Sequence, residues 1–249
     1  MEQTLPPTPI AGETLHARVL AQIRTDIVEC RLMPNERLTL EALRERYGAG
    51  FSPIREALMR LAAEGMVCLE QNKGFRVAAV SRASLFDLMR SRIEIESITL
   101  RRAIENGGVG WEADLLAAFH RLSKQSKHVH PDRLSTEWSK EHRTFHRALV
   151  AACDSPIMLS IQESLFDKAE RYVALSIVSK SPSRNDVAEH EQIMRAALAG
   201  NVGRALSLNC EHIERTLNKV AKSLENHPEF SEFAASPARA REALVALPG

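Results

Sequence analysis

The chain has 249 residues, 44% of them hydrophobic, 26% charged and only 5% aromatic. That is enough for a large core and two domains, and no apolar run approaches the ~20 residues of a membrane-spanning helix. The formal net charge is +1, so a nucleic-acid partner cannot be argued from bulk attraction and must rest on where single Arg and Lys residues stand.

Residues 1–12 contain three prolines and little that packs, which predicts a flexible arm. The first residues lack a basic and then apolar leader pattern, so no signal peptide is expected. Four scattered cysteines (Cys30, Cys68, Cys153 and Cys210) form no CxxC. They predict buried thiols in a reduced, cytoplasmic chain. A first helix is expected from about Leu15 to Glu29, with Leu15, Val19, Ile23 and Ile27 as a drifting inner stripe. A Pro/Asn turn follows at 30–36. A second helix runs from about Thr39, its N-cap, to Tyr47, with Leu40 and Leu43 inward.

Gly48 and Gly50 then suit a tight turn into FSPIREALMRLAAEG (51–65). Ser52 reads as the cap of this third helix and Pro53 as its first position. Ile54, Ala57, Leu58 and Leu61 make one apolar face, Ser52, Arg55 and Met59 lie on the other side, and Gly65 closes the run as a C′ glycine. MVCLEQ and FRVAAV around Asn72-Lys73-Gly74 give a hairpin. Three helices and a hairpin over residues 13–80 make a winged helix-turn-helix. That segment holds ten Lys/Arg against nine Asp/Glu, again nearly neutral.

From Ser81 to about Glu225 the pattern is long helices: Ser84–Asn106, Trp111–Lys127, Leu134–Cys153, Pro156–Ser179, Asp186–Ala199 and Val202–Glu225. A break falls at 128–132 and a loop at 181–185. Residues 226–249 read as a polar tail, with one loose helix at 238–246. The fold class expected is mainly α, a winged helix-turn-helix followed by an antiparallel helical bundle.

The segment RLTLEALRERYGAGFSPIREALMRLAAEGMVCLEQNKGFRVAAV resembles the amino-terminal domain of GntR-type bacterial transcription regulators, with the REAL tetrad at Arg55–Leu58 as its most specific part. The rest, to about residue 220, resembles the FCD effector domain of the FadR branch. The resemblance implies that the third helix enters the major groove of double-stranded operator DNA. Thr39, Arg44, Ser52 and Arg55 would face the DNA, and Lys73 and Gly74 would approach it from the wing. The family commonly has an arginine where this chain has Phe51, so one expected base contact is missing. Residues 107–116, 137–146 and 165–172 look like the CsiR type, which implies a repressor answering to a small dicarboxylate such as glutarate.

Four of the nine histidines stand out. His142 and His146 are at i, i+4 on one helix face with Phe145 and Leu149 beside them, so both rings are expected to point into the bundle. His190 shares a face with Met194 and Ala197, and His212 one with Ala205 and Leu208. Buried imidazoles that converge suit zinc, nickel, copper or iron. Each alone is better read as a singly hydrogen-bonded core or surface histidine. The FCD pattern, Asp-x3-His followed by two histidines a helical hairpin apart, favours a metal set, with His142 in the usual aspartate position. Glu141 and Glu189, about 100° from their neighbouring histidines, are expected to point away. His120, His128 and His130 read as surface or loop residues. Arg92 is either a helix-surface ion pair with Glu96 or a buried guanidinium that takes an effector carboxylate.

The expectation is a homodimeric DNA-binding repressor and not an enzyme, with a divalent transition metal (Zn, Ni or Fe) and a carboxylate effector. The alternative is a metal-dependent helical enzyme with an appended winged helix. Against it, no phosphate loop or nucleophile elbow appears.

Overall fold

The structure, a computed structural model, describes residues 15–71, 73–130, 133–178 and 186–225. The expected arm at 1–12, the loop at 181–185 and the tail at 226–249 with its helix lie outside the described residues. The chain divides into two compact units, Met1–Ala79 and Val80–Gly249.

The first unit contains α1 (Leu15–Val28), β1 (Arg37–Leu38), α2 (Leu40–Tyr47), α3 (Phe51–Ala63), β2 (Val67–Glu70) and β3 (Gly74–Val77). Val19, Ile23 and Ile27 of α1 are fully buried against Ile54, Ala57, Leu58 and Leu61 of α3. Leu15 has drifted out of the stripe and is 45% exposed. The three-stranded sheet has the order β1-β3-β2, antiparallel throughout, and Leu69 faces Phe75 in the hairpin. The sequence showed no third strand, because a two-residue strand has no periodicity to read.

Caps set the helix ends. Thr39 Oγ1 accepts from Ala42 N–H at 3.3 Å and starts α2. Gly65 closes α3 at φ +74°, with its N–H on Ala62 and the Met66 N–H on Leu61, a Schellman pair of bonds. The start of α3 departs from expectation. Gly50 is the N-cap, without a side-chain bond, and Ser52 lies inside the first turn, where its hydroxyl donates to Glu56 Oε1 at 3.1 Å.

The second unit is α4 (Arg82–Asn106), α5 (Val109–Ser123), β4 (His128–His130), β5 (Arg133–Leu134), α6 (Thr136–Val150), a 3-10 turn at Ala151–Cys153, α7 (Pro156–Val178), α8 (Val187–Leu198) and α9 (Val202–Glu225). Helix α5 ends four residues before the expected Lys127, and the expected break becomes a small antiparallel pair, β4 with β5. Ser81 and Ser135 cap α4 and α6 through the N–H groups of Ser84 and Trp138. A β-carbon on Gly107 would meet Trp111 Cε3 at 2.2 Å, so only glycine lets α5 turn back here. Trp111 in turn donates from Nε1 to Ala148 O at 2.9 Å, tying α5 to α6. The core joins Leu100, Leu115, Leu122, Trp138, Phe145, Leu149, Ile193 and Leu208. Cys68 is exposed on β2, contrary to the expectation of buried thiols, while Cys30 and Cys153 are buried.

Candidate metal centre and DNA-facing helix

Helix α6 turns a strongly amphipathic face inward, and its turn spacing stacks His142 and His146 on that face. His190 enters from α8 and His212 from α9. All four are buried, and their ligand nitrogens lie within 4.8 Å of one another. His146 Nε2 is 3.2 Å from both His142 Nε2 and His190 Nε2. Nitrogens that share one ion at ~2.0–2.1 Å stand about 3.0–3.4 Å apart, so the spacing fits a common ion. A single proton on His146 Nε2 could serve only one of its two neighbours.

Electrostatics keep two of the rings, His146 and His190, in ligand form. Burial first, then His142, His212 and Arg92, hold His146 well below the ordinary imidazole pKa. Burial and the other three histidines do the same for His190.

The outer faces of two rings meet carboxylates: Glu189, expected to point away, and Glu170. His212 Nδ1 donates to Glu189 Oε2 at 2.9 Å. Glu189 points away from His190, as a 100° offset requires, but α9 lies in that direction. Glu141 does lie away from the centre and takes a bond from Arg121. His142 Nδ1 is 3.4 Å from Glu170 Oε2, close enough for attraction though not aligned as a hydrogen bond. Burial alone would raise the Glu170 pKa, yet His142, Arg92 and Arg143 outweigh it and hold the carboxyl below its usual range. His190 Nδ1 is buried and has no hydrogen bond among the described residues. Of the histidines left aside, His120 is exposed, but His128 is half-buried with both ring nitrogens shielded, which corrects its reading as a surface residue.

A cavity of about 40 Å³ borders three of the rings, room for an ion and one or two waters. Arg92, Lys127 and Lys219 line it against Glu170 and Asp186. Arg92 is no surface residue: it is 4% exposed and binds Glu96 Oε1 through Nε at 2.9 Å and Nη2 at 2.7 Å. Glu96 also accepts from Asn209 Nδ2 at 3.1 Å. Lys127 pairs with Asp186 and sits over Trp138, whose ring stacks on His142 at 4.4 Å.

In the first unit, Phe51, Ser52, Arg55, Glu56 and Met59 are all exposed on the front of α3. Arg55 and Lys73 are exposed with no carboxylate paired to them among the described residues. Gly74, at φ +85°, turns the wing in open space. Arg44 lies over the Phe51 ring, 5.3 Å from its centroid. Ser52 does not offer a free hydroxyl proton, since Glu56 holds it. Thr39 likewise is occupied as a cap.

Residues 15–77 match the family described as bacterial regulatory proteins, gntR family, and residues 87–215 match the FCD domain. The chain is 35% identical to the HTH-type transcriptional repressor GlaR of Escherichia coli K12 over 195 residues, covering 77% of this chain and 89% of that one. It belongs to the GntR family. The uncharacterized HTH-type transcriptional regulator BphR of Paraburkholderia xenovorans LB400 is also 35% identical, over 86% of this chain and 89% of its own. The fold agrees with that of E. coli McbR/YncC at TM-score 0.73 and 21% identity, covering 84% and 98% of the two chains. The protein is thus a DNA-binding transcriptional regulator, and its family consists of regulators, not enzymes. No helix among the described residues is long and apolar enough to cross a membrane.

Proposed function

We propose that this GntR regulator is a repressor whose hold on operator DNA is released or modulated by a small dicarboxylate, of the glutarate type, taken up beside a metal ion in the FCD domain. The observation that carries the reading is the convergence of four buried histidines, three of which border a cavity that Arg92, Lys127 and Lys219 also line. His142, His146, His190 and His212 would hold zinc, nickel or iron. When bound, the ion offers an electrophilic attachment point for a carboxylate oxygen. Four uncharged imidazoles leave its two positive charges intact, while Arg92 and Lys127 are already balanced by Glu96 and Asp186, so it is the ion that makes a dianion the complementary guest. Arg92 would take part of a carboxylate through its planar fork while Glu96 holds the guanidinium in place.

On the DNA side, Arg55 and Lys73 are the available cations, with Arg44 beside the helix start and Gly74 letting the wing come close. A homodimer would present two α3 helices to successive half-sites. Exposed Ile98 on α4, with Ile157 and Ile161 on α7, supplies apolar surface of the kind a second copy covers. The ligand acts on DNA only if it binds the DNA-competent and DNA-incompetent arrangements with unequal free energy.

The test is metal analysis of the purified protein, followed by fluorescence anisotropy on its own promoter with and without glutarate and a chelator. Expected are bound metal and a shift in DNA affinity that needs both metal and dicarboxylate. If DNA affinity ignores both, the switch reading fails.

A further inference from the structure

Helix α3 buries Ile54, Ala57, Leu58 and Leu61, which fixes the opposite face outward. On that face Phe51, Arg55 and Met59 stand at i, i+4 and i+8 in one row. Phe51 is 44% exposed at the first position of the helix, and Met59 is 48% exposed. A ring so placed keeps apolar area in water that a partner surface can still cover. Arg44 from α2 lies over the ring at 5.3 Å and restrains it from one side without burying it. Gly50 has no side chain, so nothing precedes Phe51 to shield the start of the helix.

The N-terminal residues of a recognition helix are those that meet base edges. In the major groove the one apolar feature of a base edge is the C5-methyl group of thymine. We propose that Phe51 is a specificity-determining residue that packs on a thymine methyl in each half-site, with Arg44 holding its ring in register. An apolar contact thus fills the position where an arginine would read guanine. Arg55, one turn on, remains free for a hydrogen-bonded base or phosphate contact.

The experiment selects a preferred duplex for the full-length protein from a random-sequence library. Each thymine of that duplex is then replaced by deoxyuridine, which removes the methyl and nothing else. Expected is one thymine per half-site whose replacement weakens binding about fourfold, the weight of one buried methyl. Phe51→Ala should bind the thymine and uracil duplexes equally, with an unchanged melting temperature because the ring is not in the core. Phe51→Arg should enrich guanine at the same position. If no thymine is sensitive, or if Phe51→Ala keeps the sensitivity, the proposal is wrong. Failure of the wild-type chain to enrich any sequence would overturn it as well. The comparison is between two duplexes in one buffer, so it stands or falls apart from the effector reading.

Discussion

Glu189 precedes His190 in the chain, yet its carboxylate serves His212 on the next helix, at 2.9 Å from Nδ1. The bond fixes that ring's tautomer, because an Nδ1–H donated to a carboxylate leaves Nε2 as the lone-pair nitrogen facing the centre. Glu189→Gln keeps the shape and removes the charge. Metal affinity, measured by competition with a chelator, should fall about 10–100-fold, the usual effect of losing such a partner. An unchanged affinity would show that His212 is not a ligand.

The pH response of the metal-free protein follows from His146 and His190. Burial and neighbouring charge hold both folded-state values well below that of a free imidazole, while the unfolded chain titrates near ~6.5. Below that pH the unfolded state binds more protons than the folded one. Stability is therefore complete above about pH 6.5 and is lost as pH falls, by up to about 1.4 kcal/mol per pH unit for each ring. Urea midpoints of metal-stripped protein should drop steeply between about pH 6.5 and 5. His190→Leu should flatten the curve; an equally steep curve in that variant would mean that other groups carry it.

Arg92 tests the anion side of the pocket. Arg92→Lys retains a charge for Glu96 and loses the planar fork. The variant should bind metal and DNA as before but need at least about tenfold more glutarate for half-response, the loss of roughly one charge-assisted hydrogen bond. An unchanged half-response concentration would place the carboxylate elsewhere.

Asp26 is the hub of the first unit. Only 7% exposed, it accepts from Tyr47 Oη and Arg46 Nη2, each at 2.7 Å, and from Arg31. Burial and this acceptor push the Tyr47 phenol pKa upward. Asp26→Ala takes the acceptor from the half-buried Tyr47 hydroxyl and from Arg46, while solvent and Glu29 still serve the exposed arginines, and should cost about 1–2 kcal/mol of stability. A thermal melt and DNA titration would record a lowered transition and weaker binding together; a change under about 0.5 kcal/mol would mark the cluster as solvent-screened.

Most of the helical frame was legible in the sequence because long helices announce their faces: α9 runs from Val202 to Glu225, the bounds its pattern predicts. Strands of two or three residues leave no period to read: β1 is made by pairing with β3 far along the chain, and β4 and β5 are two short runs that pair with each other. The same limit applies to the site. Trp138, His142 and His146 repeat every four residues on one face of α6 and can be read locally, whereas His190, His212, Glu170 and Lys127 join them only through packing of other elements. Ser52 failed as a cap because Gly50, with its extended backbone at ψ 169°, starts the helix one residue before Ser52 and leaves the serine within reach of Glu56. Polar Arg92, Glu96 and Thr99 occupy the buried face of α4 while Ile98 is 47% exposed, the reverse of what hydrophobicity alone assigns.

The layering of Lys127 on Trp138 and of Trp138 on His142 gives the molecule an optical handle. Only two tryptophans are present. One, Trp111, is fixed to the α6 backbone; the other shares its π-face with a candidate ligand ring. Loading a paramagnetic ion such as nickel should quench Trp138 and spare Trp111, so a Trp111→Phe protein would signal occupancy of its own centre by emission, without a label.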